Sequence, residues 1–406
     1  MTGQNRKTWR LDWNIAFLSL ALGVTGLVLI YSASSSLESS FFAGPFGRQT
    51  VWFISALACG LICTRIPMPG LKSGAYVLYG TALILLGAVL AAGRGDVHRW
   101  IEVSGFYMQP SEAAKIACIL MLARFLDDHS RLPQWKKLVY SLGLTIPAVL
   151  LIIREPDMGS ALVFCAIWGV MVLWSGVSVH WMLLFAAPFT ALAAGLYLPV
   201  FIGFLCAVLV WAVWRSRSWW KALLYTGICG GIGMFSTAFW AGLPQYQQER
   251  LLIFLGIKSD PHGSAYQVIQ SKVAIGSGGL LGKGFLNGSQ SQLRFLPEQH
   301  TDFIVSVLGE EFGFLGITVV FILFFLLFVI LIRAALTARD DFESLTVMGV
   351  FAMLAVQTAV NTGMASGIVP VTGMTLPFLS YGGSSLVVCF AGAGLVSNIS
   401  MNRFLY

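Results

Sequence analysis

Apolar runs of roughly twenty residues recur along this chain from Trp13 to its C-terminal end, separated by short polar connections and by one long one. Runs of this length predict helices that cross a bilayer. A hydrocarbon core of about 30 Å takes about 20 helical residues, and the helix leaves no backbone group unpaired in lipid. Twelve spans are predicted, over 13–32, 50–66, 74–92, 110–126, 138–153, 160–175, 179–197, 199–214, 222–241, 304–332, 345–366 and 384–401. Ten or eleven is the alternative count, because 177–241 is the least clearly divided stretch. The first run is too long for the apolar part of a signal peptide and lacks a small-residue cleavage site, so it reads as a span rather than a leader. The fold class is an all-α polytopic integral membrane protein, one membrane domain over 1–406, of ten to twelve transmembrane helices with twelve favoured. The long connection, 243–302, is rich in glycine and glutamine but punctuated by apolar residues, which predicts an ordered loop with short helices lying on the membrane.

Composition strengthens this picture. Of the 406 residues 57% are hydrophobic and 11% charged, against roughly 25% charged in soluble domains. The seven cysteines all lie in apolar runs, with neither a CxxC pair nor a Cys/His cluster, which excludes a disulfide framework or a zinc site. The net charge of +7 reads as topology rather than nucleic-acid binding. Fifteen lysines and arginines fall on the side of the N terminus, against four (Arg48, Arg94, Arg99 and Arg154) in the short connections opposite. By the positive-inside rule both termini are cytoplasmic and 243–302 is a large extracytoplasmic loop.

The carboxylates sort by side as well. Asp12, Asp127, Asp128, Asp340, Asp341 and Glu343 lie among basic residues inside, where solvated pairing accounts for them. The other twelve belong to the outer half, with Arg48, Lys115, Arg154 and His300. Ionisable groups that border lipid are costly and mark functional cavities. In QPSEAAKIACILMLARF, Glu112 and Lys115 are three residues apart and share a helix face, with the lysine deeper in the span. A helix-start role for Ser111 and Glu112 is the plainer alternative. REPDMGSAL packs Arg154, Glu155 and Asp157 into one short turn, where Asp157 is either a helix cap or part of a site. Arg48 alone is an ordinary interfacial anchor. SGGLLGKG fails the phosphate-loop pattern, since Ser277 stands at its first glycine and Gly284 where Ser or Thr belongs. In LPEQHTDFIVSVLGEEFGFLG, Asp302 sits at the water boundary while Glu310 and Glu311 lie deeper, and one of these is expected to pair with Lys115, Arg48 or Arg154. A helix started by Pro297 and Thr301 is the bland reading of that stretch.

Four stretches in order, RWIEVSGFYMQPSEAAKI, EPDMGSAL, QSKVAIGSGGLLGKGFLNGSQSQLRFLPEQHTDFIVSVLGEEFGFLG and PVTGMTLPFLSYGGSS, resemble the SEDS family of shape, elongation, division and sporulation proteins. AIGSGGLLGKG and GSQSQL resemble its elongation members more than its division members. The resemblance implies a peptidoglycan glycosyltransferase that polymerises lipid II into β-1,4 glycan strands on the outer face of the cytoplasmic membrane. It also implies a class B penicillin-binding protein transpeptidase and the elongation machinery as partners. Asp302 falls on the family's essential aspartate, Glu112 and Lys115 on its PSExxK motif, Asp157 on its PD motif and Trp100 on its RWI motif. Arg48, Arg154, Glu298, His300, Glu310 and Ser384 complete the substrate-binding set, and a divalent cation, Mg or Mn, is assigned to Asp157 and Glu112, with no organic cofactor. Three departures stand out. Glu155 replaces the usual glutamine, Asp96–Val97–His98 varies the approach to Trp100, and 179–241 holds an extra helix pair relative to the usual ten spans. Transfer from an α-linked diphosphate to a β-1,4 bond inverts the anomeric carbon and needs a base, for which Asp302 is the candidate. A lipid II flippase is the alternative, favoured by Glu112, Lys115 and Glu310 but not by any inverted repeat. A non-catalytic scaffold is a third, which leaves the buried charges unexplained.

Overall fold

A computed structural model describes residues 12–35, 44–92, 101–103, 106–254, 257, 264–293, 295–296 and 298–402. The chain is almost wholly helical in them. In order run α1 (Trp13–Ser34), α2 (Pro45–Cys63), α3 (Met68–Ala92), the strands β1 (Ile101–Val103) and β2 (Phe106–Met108), α4 (Pro110–Asp128), α5 (Gln134–Arg154) and α6 (Met158–Trp174). Next come α7 (Val179–Ala194), α8 (Leu198–Ser216), α9 (Trp219–Met234), α10 (Ser236–Gly242), α11 (Gln245–Phe254), α12 (Ser264–Ser277) and α13 (Ser289–Gln292). The chain closes with α14 (Ile304–Leu336), α15 (Asp341–Ser366) and α16 (Gly383–Asn402).

Each of the twelve predicted spans falls on a helix. Nine helical stretches among the described residues are long and apolar enough to cross a membrane, α9 and α10 counting together as one, Trp219–Gly242. Helices α6 and α7 are shorter, at 17 and 16 residues, and α4 has the length but carries Glu112, Lys115, Arg124, Asp127 and Asp128. Several boundaries move, α3 for example starting at Met68 rather than at 74. Helix α2 starts at Pro45 rather than at 50, because proline suits a first helical turn, and Arg48 therefore stands inside that turn. The span predicted over 222–241 divides into α9 and α10 at Phe235.

The helices form two compact units, described separately. The larger one lies within Met1–Leu132, Val139–Ser175 and Asp260–Tyr406. Helices α15 and α16 are its most enclosed spans, α15 lying against α4, α6 and α14 and α16 against α2. Small residues bring α2 and α16 together. A Cβ on Gly394 would stand 2.2 Å from the Gly60 carbonyl oxygen, an approach that only small residues permit between apolar helices. At the end that bears Asp127, Lys72 pairs with that residue and Arg124 Nε lies 3.4 Å from Asp128, as the solvated-pairing account expects. The smaller unit, Pro133–Leu138 with Gly176–Ser259, is built on α7, α8 and α9. It contains the whole 179–241 stretch.

The long connection holds α11, α12 and α13. Helix α12 is anchored to the bundle. It packs on α14 and α15, and its buried Ser271 hydroxyl makes 2.6 Å hydrogen bonds with the Ser306 hydroxyl and the Ala365 carbonyl.

Helix α14, predicted as a continuous span, is broken at Gly313, whose φ of 65° and ψ of −162° leave the helical region. The glycine-rich stretch 279–284 repairs the break. Lys283 and Gly284 donate their N–H groups to the Glu310 and Glu311 carbonyls, at 2.9 and 3.0 Å. Phe314 and Leu315 donate to Gly279 and Leu280, at 2.9 and 3.1 Å. Freed backbone groups at membrane depth are tolerated only when something satisfies them in this way. The stretch that fails as a phosphate loop is thus a splint.

Gly282 shows how close the splint lies. Its φ is +82°, and a Cβ there would meet the Glu311 carbonyl oxygen at 2.1 Å. Gly282→Ala is expected to lower stability by about 1–3 kcal/mol or more, while Gly276→Ala, in open space on α12, leaves it unchanged or slightly higher. Thermal unfolding of the two purified variants in detergent measures the difference.

Candidate functional site

Four helices of the larger unit present their N-terminal turns to one cavity of about 510 Å³. Helix α2 contributes Arg48 and Trp52, α4 contributes Glu112 and Lys115, α6 contributes Ser160 behind its cap Asp157, and α16 contributes Gly383, Ser384 and Ser385. Turn 298–302 and strip 373–382 close the remaining walls. Helix N-termini carry unpaired N–H groups and the positive end of the helix dipole, so their convergence favours an anion.

Asp302 is fixed through its backbone. Its N–H donates to the Glu298 carbonyl at 3.1 Å, and its carbonyl accepts from Asn361 Nδ2 at 3.0 Å. The same amide donates to the Met374 carbonyl at 2.6 Å. Fully buried on α15, Asn361 thereby clamps the Asp302 turn to the 373–382 strip. Gly373, at φ +74°, stands beside the carboxylate, since a Cβ there would lie 3.6 Å from Asp302 Oδ2. The strip is held from the other side by Gln49, which donates to the Ser380 carbonyl at 3.3 Å and accepts from the Gly382 N–H at 3.2 Å.

Lys115 is the deepest cation of the cavity, 1% exposed, with its ammonium 2.6 Å from Glu112 Oε1. The predicted shared face therefore becomes a buried ion pair, while Glu112 Oε2 has no hydrogen-bond partner among the described residues. Asp157 fits its plainer reading. Its oxygens accept from the Ser160 N–H at 3.0 Å, the Ser160 hydroxyl at 2.7 Å and Gln109 Nε2 at 2.8 Å. It caps α6 and still lines the cavity. Among the described residues no group of three or more His, Cys, Asp or Glu side chains is placed to hold a metal ion, so a cation at these two carboxylates would take its remaining ligands from substrate and water.

Of the eleven residues assigned from sequence, the cavity gathers Arg48, Glu112, Lys115, Asp157, Glu298, Asp302 and Ser384. Trp100 lies outside the described residues. Arg154 is exposed at the end of α5 and does not line the cavity. His300 sits behind the wall, its carbonyl accepting from the Tyr381 N–H at 2.8 Å and its ring edge-on to that of Tyr381 at 5.4 Å. Burial pushes its pKa below the ordinary histidine value, although Glu298 pulls the other way. Burial also raises the Tyr381 hydroxyl, against the pull of Arg48.

Glu310 needs a correction. None of the cations expected from sequence is its partner. Lys283, from the splint, lies 2.8 Å from its Oε1, and the N–H groups of Gln290 and Ser291 donate to its two oxygens at 2.9 and 3.0 Å. Glu311 instead accepts from Ser32 of α1. Both glutamates tie the loop to the bundle, and neither lines the cavity.

A family model described as "Cell cycle protein", covering FtsW, RodA and SpoVE, matches residues 12–202 and 198–404. The chain belongs to this family, the SEDS proteins. It is 36% identical to the peptidoglycan glycosyltransferase MrdB of Escherichia coli K12, over 98% of this chain and 97% of that one. It is 33% identical to the peptidoglycan glycosyltransferase RodA of Treponema pallidum, over 97% and 98%. A probable peptidoglycan glycosyltransferase FtsW of Trichlorobacter lovleyi shares 34%, over 97% and 95%, so identity alone does not divide elongation from division. Among solved structures, a chain described under the structural coordination of polymerization and crosslinking by a peptidoglycan synthase complex superposes with a TM-score of 0.72, at 30% identity over 98% and 100%. Thermus thermophilus RodA gives 0.64 at 28% identity, over 98% and 99%.

The SEDS cavity also contains residues that the sequence reading passed over, among them Trp52, Gln109, Gln357 and Tyr381. One of them, Gln357, was open to pattern together with Asn361, which holds the wall without lining the cavity. Gln357 and Asn361 are four apart in an otherwise apolar span, the spacing that places polar residues on one face of a helix.

Burial makes the Glu112–Lys115 pair testable on its own. Lys115→Met leaves a buried carboxylate unpaired and is expected to cost about 3–5 kcal/mol, whereas Glu112→Gln combined with Lys115→Met recovers most of that loss. Unfolding midpoints of the single and double variants measure the coupling.

Proposed function

We propose that the chain is a peptidoglycan glycosyltransferase that polymerises lipid II into β-1,4 glycan strands on the outer face of the cytoplasmic membrane. The observation that carries this reading is the cavity itself, a fixed aspartate facing two cations where four helix N-termini converge. The relatives named peptidoglycan glycosyltransferase support it, through their identity over nearly the whole chain.

In this reading the glycan diphosphate lies against Arg48, Lys115 and the first turns of α2, α4, α6 and α16. These groups stabilise the negative charge that develops as the anomeric C–O bond to the diphosphate breaks. Asp302 takes the proton of the attacking 4-hydroxyl as the new bond forms on the opposite face of the sugar. Its half-exposed position on the cavity wall suits a group that must lose that proton again to water. Asn361 is a positioning residue, acting through the backbone of Asp302. Four carboxylates against two cations leave the lining formally negative. A divalent cation, Mg or Mn, carried on the diphosphate oxygens would supply charge neutralisation, and Glu112 Oε2, buried and without a hydrogen-bond partner among the described residues, would have to turn toward the cavity to reach it. Crosslinking falls to a class B penicillin-binding protein partner, a reading supported by the synthase-complex structure that this chain resembles. The elongation machinery is the proposed setting.

Polymerisation of fluorescent lipid II by purified protein, with its partner present, tests the assignment. Asp302→Asn is expected to abolish product while leaving the unfolding midpoint near wild type; product retained by that variant would remove Asp302 as base. Asn361→Ala is expected to lower kcat about a hundredfold with KM little changed, since displacement of a catalytic group by about 1 Å costs on that order. Absence of polymer from wild type under every partner and cation condition, with lipid II crossing the bilayer instead, would favour transport.

A further inference from the structure

The smaller unit has a cavity of its own, about 300 Å³, where the first turns of α7 and α9 meet the last turn of α8. His180, Arg215 and Lys221 line it, with Trp181, Trp211 and Tyr225. The wall is built. The Tyr225 hydroxyl of α9 donates to the Leu184 carbonyl of α7, and the His180 ring of α7 lies 4.8 Å from the Trp211 ring of α8.

The charges on this wall are one-sided. Arg215 is in the last turn of α8, where the helix dipole welcomes a cation. Lys221 is in the first turn of α9, where the dipole opposes one. The residues of this unit include a single carboxylate in their sequence, Glu249, and it does not line the cavity. Two cations thus face one cavity without an acidic partner in it, one of them at the unfavourable end of its helix. An anion between them would be attracted by both.

What lies beside the cavity indicates the kind of anion. Trp211 also belongs to an apolar face of α8 formed with Cys206, Ala207, Val210 and Trp214. Val210 and Trp214 are strongly exposed, as are Trp219 and Trp220 at the start of α9. A cationic recess bordered by tryptophans and continued by an apolar helix face has the layout of a phospholipid, headgroup first and acyl chain alongside. We propose that this cavity binds the phosphate of an anionic phospholipid, with Arg215 and Lys221 on the phosphate and an acyl chain along α8. This site is separate from the Asp302 cavity and does not rest on the glycosyltransferase reading.

The test is titration of the purified full-length protein, held in a neutral detergent, with phosphatidylglycerol and separately with phosphatidylcholine. Bound lipid is counted by native mass spectrometry. Wild type is expected to retain phosphatidylglycerol in preference to phosphatidylcholine. Arg215→Gln combined with Lys221→Gln is expected to bind it about thirty-fold more weakly, at about one tenfold step for each 1.4 kcal/mol and about 1 kcal/mol for each cation. Lys221→Gln alone, an exposed change that leaves α9 intact, is expected to weaken it several-fold. A control with the same charge loss elsewhere, Arg131→Gln with Arg333→Gln, is expected to bind as wild type does. Equal binding by the Arg215/Lys221 variant, or an equal loss in the control, would overturn the site. Displacement of the lipid by excess inorganic phosphate would assign the recess to a free phosphate and overturn the lipid proposal.

Discussion

A helix broken inside an apolar bundle must find new partners for the backbone groups it frees, and that requirement organises the end of this molecule where the cavity lies. Gly313 opens α14, and 279–284 closes the opening with four backbone hydrogen bonds. The splint brings Lys283 to Glu310, Glu310 holds the N–H groups that begin α13, and Gln299 reaches from the next turn to the Ser291 carbonyl of α13 and the Ala33 carbonyl of α1. Asp302 follows three residues later. Its position is thus tied through a continuous set of polar contacts to a break eleven residues farther along the chain. Half-satisfied, such a network would cost more than an apolar core.

The second constraint is electrostatic. A cavity that takes a diphosphate needs positive charge, yet this one carries more carboxylates than cations. The structure disposes of the excess locally. Glu112 is matched by Lys115, and Asp157 is occupied by Ser160 and Gln109. The converging helix ends then contribute partial positive charge without adding a side chain. Glu298 and Asp302 lie on the turn that carries the proposed chemistry, so in this reading they are the carboxylates nearest the reacting hydroxyl.

Much of this was legible in the sequence, and the failures share a cause. Helix positions followed from hydropathy because the bilayer scale is coarse and the runs are long. The pairing of Glu112 with Lys115 followed from helical spacing, since both partners sit on one element. What the sequence did not reveal was which distant groups meet. Glu310 looked like a cavity residue because it was a carboxylate in an apolar run. Its partner was a lysine inside a glycine-rich motif that had been set aside as a failed phosphate loop. The break at Gly313 was hidden for a related reason: a glycine in a long apolar run is compatible with an unbroken helix until a second segment is seen to pair with it. Asn361 was overlooked although a buried amide nitrogen in a span needs acceptors, and the two carbonyls that its Nδ2 finds come from segments 59 and 13 residues away.

That amide links the two constraints. Helix α15 is among the most enclosed elements of the larger unit, and its apolar faces are fixed by α4, α6 and α14. Asn361 converts this rigidity into a fixed place for two irregular segments that have no regular structure of their own. The turn containing Asp302 and the strip containing Met374 both hang from it by their carbonyls. A catalytic aspartate on such a turn would otherwise drift, and general-base efficiency falls steeply with misplacement. Placing the clamp in the apolar interior also removes competing water, so each hydrogen bond there is worth more than at the surface. The geometry argues that precision at this site is supplied by the buried span and reactivity by the half-exposed turn it holds.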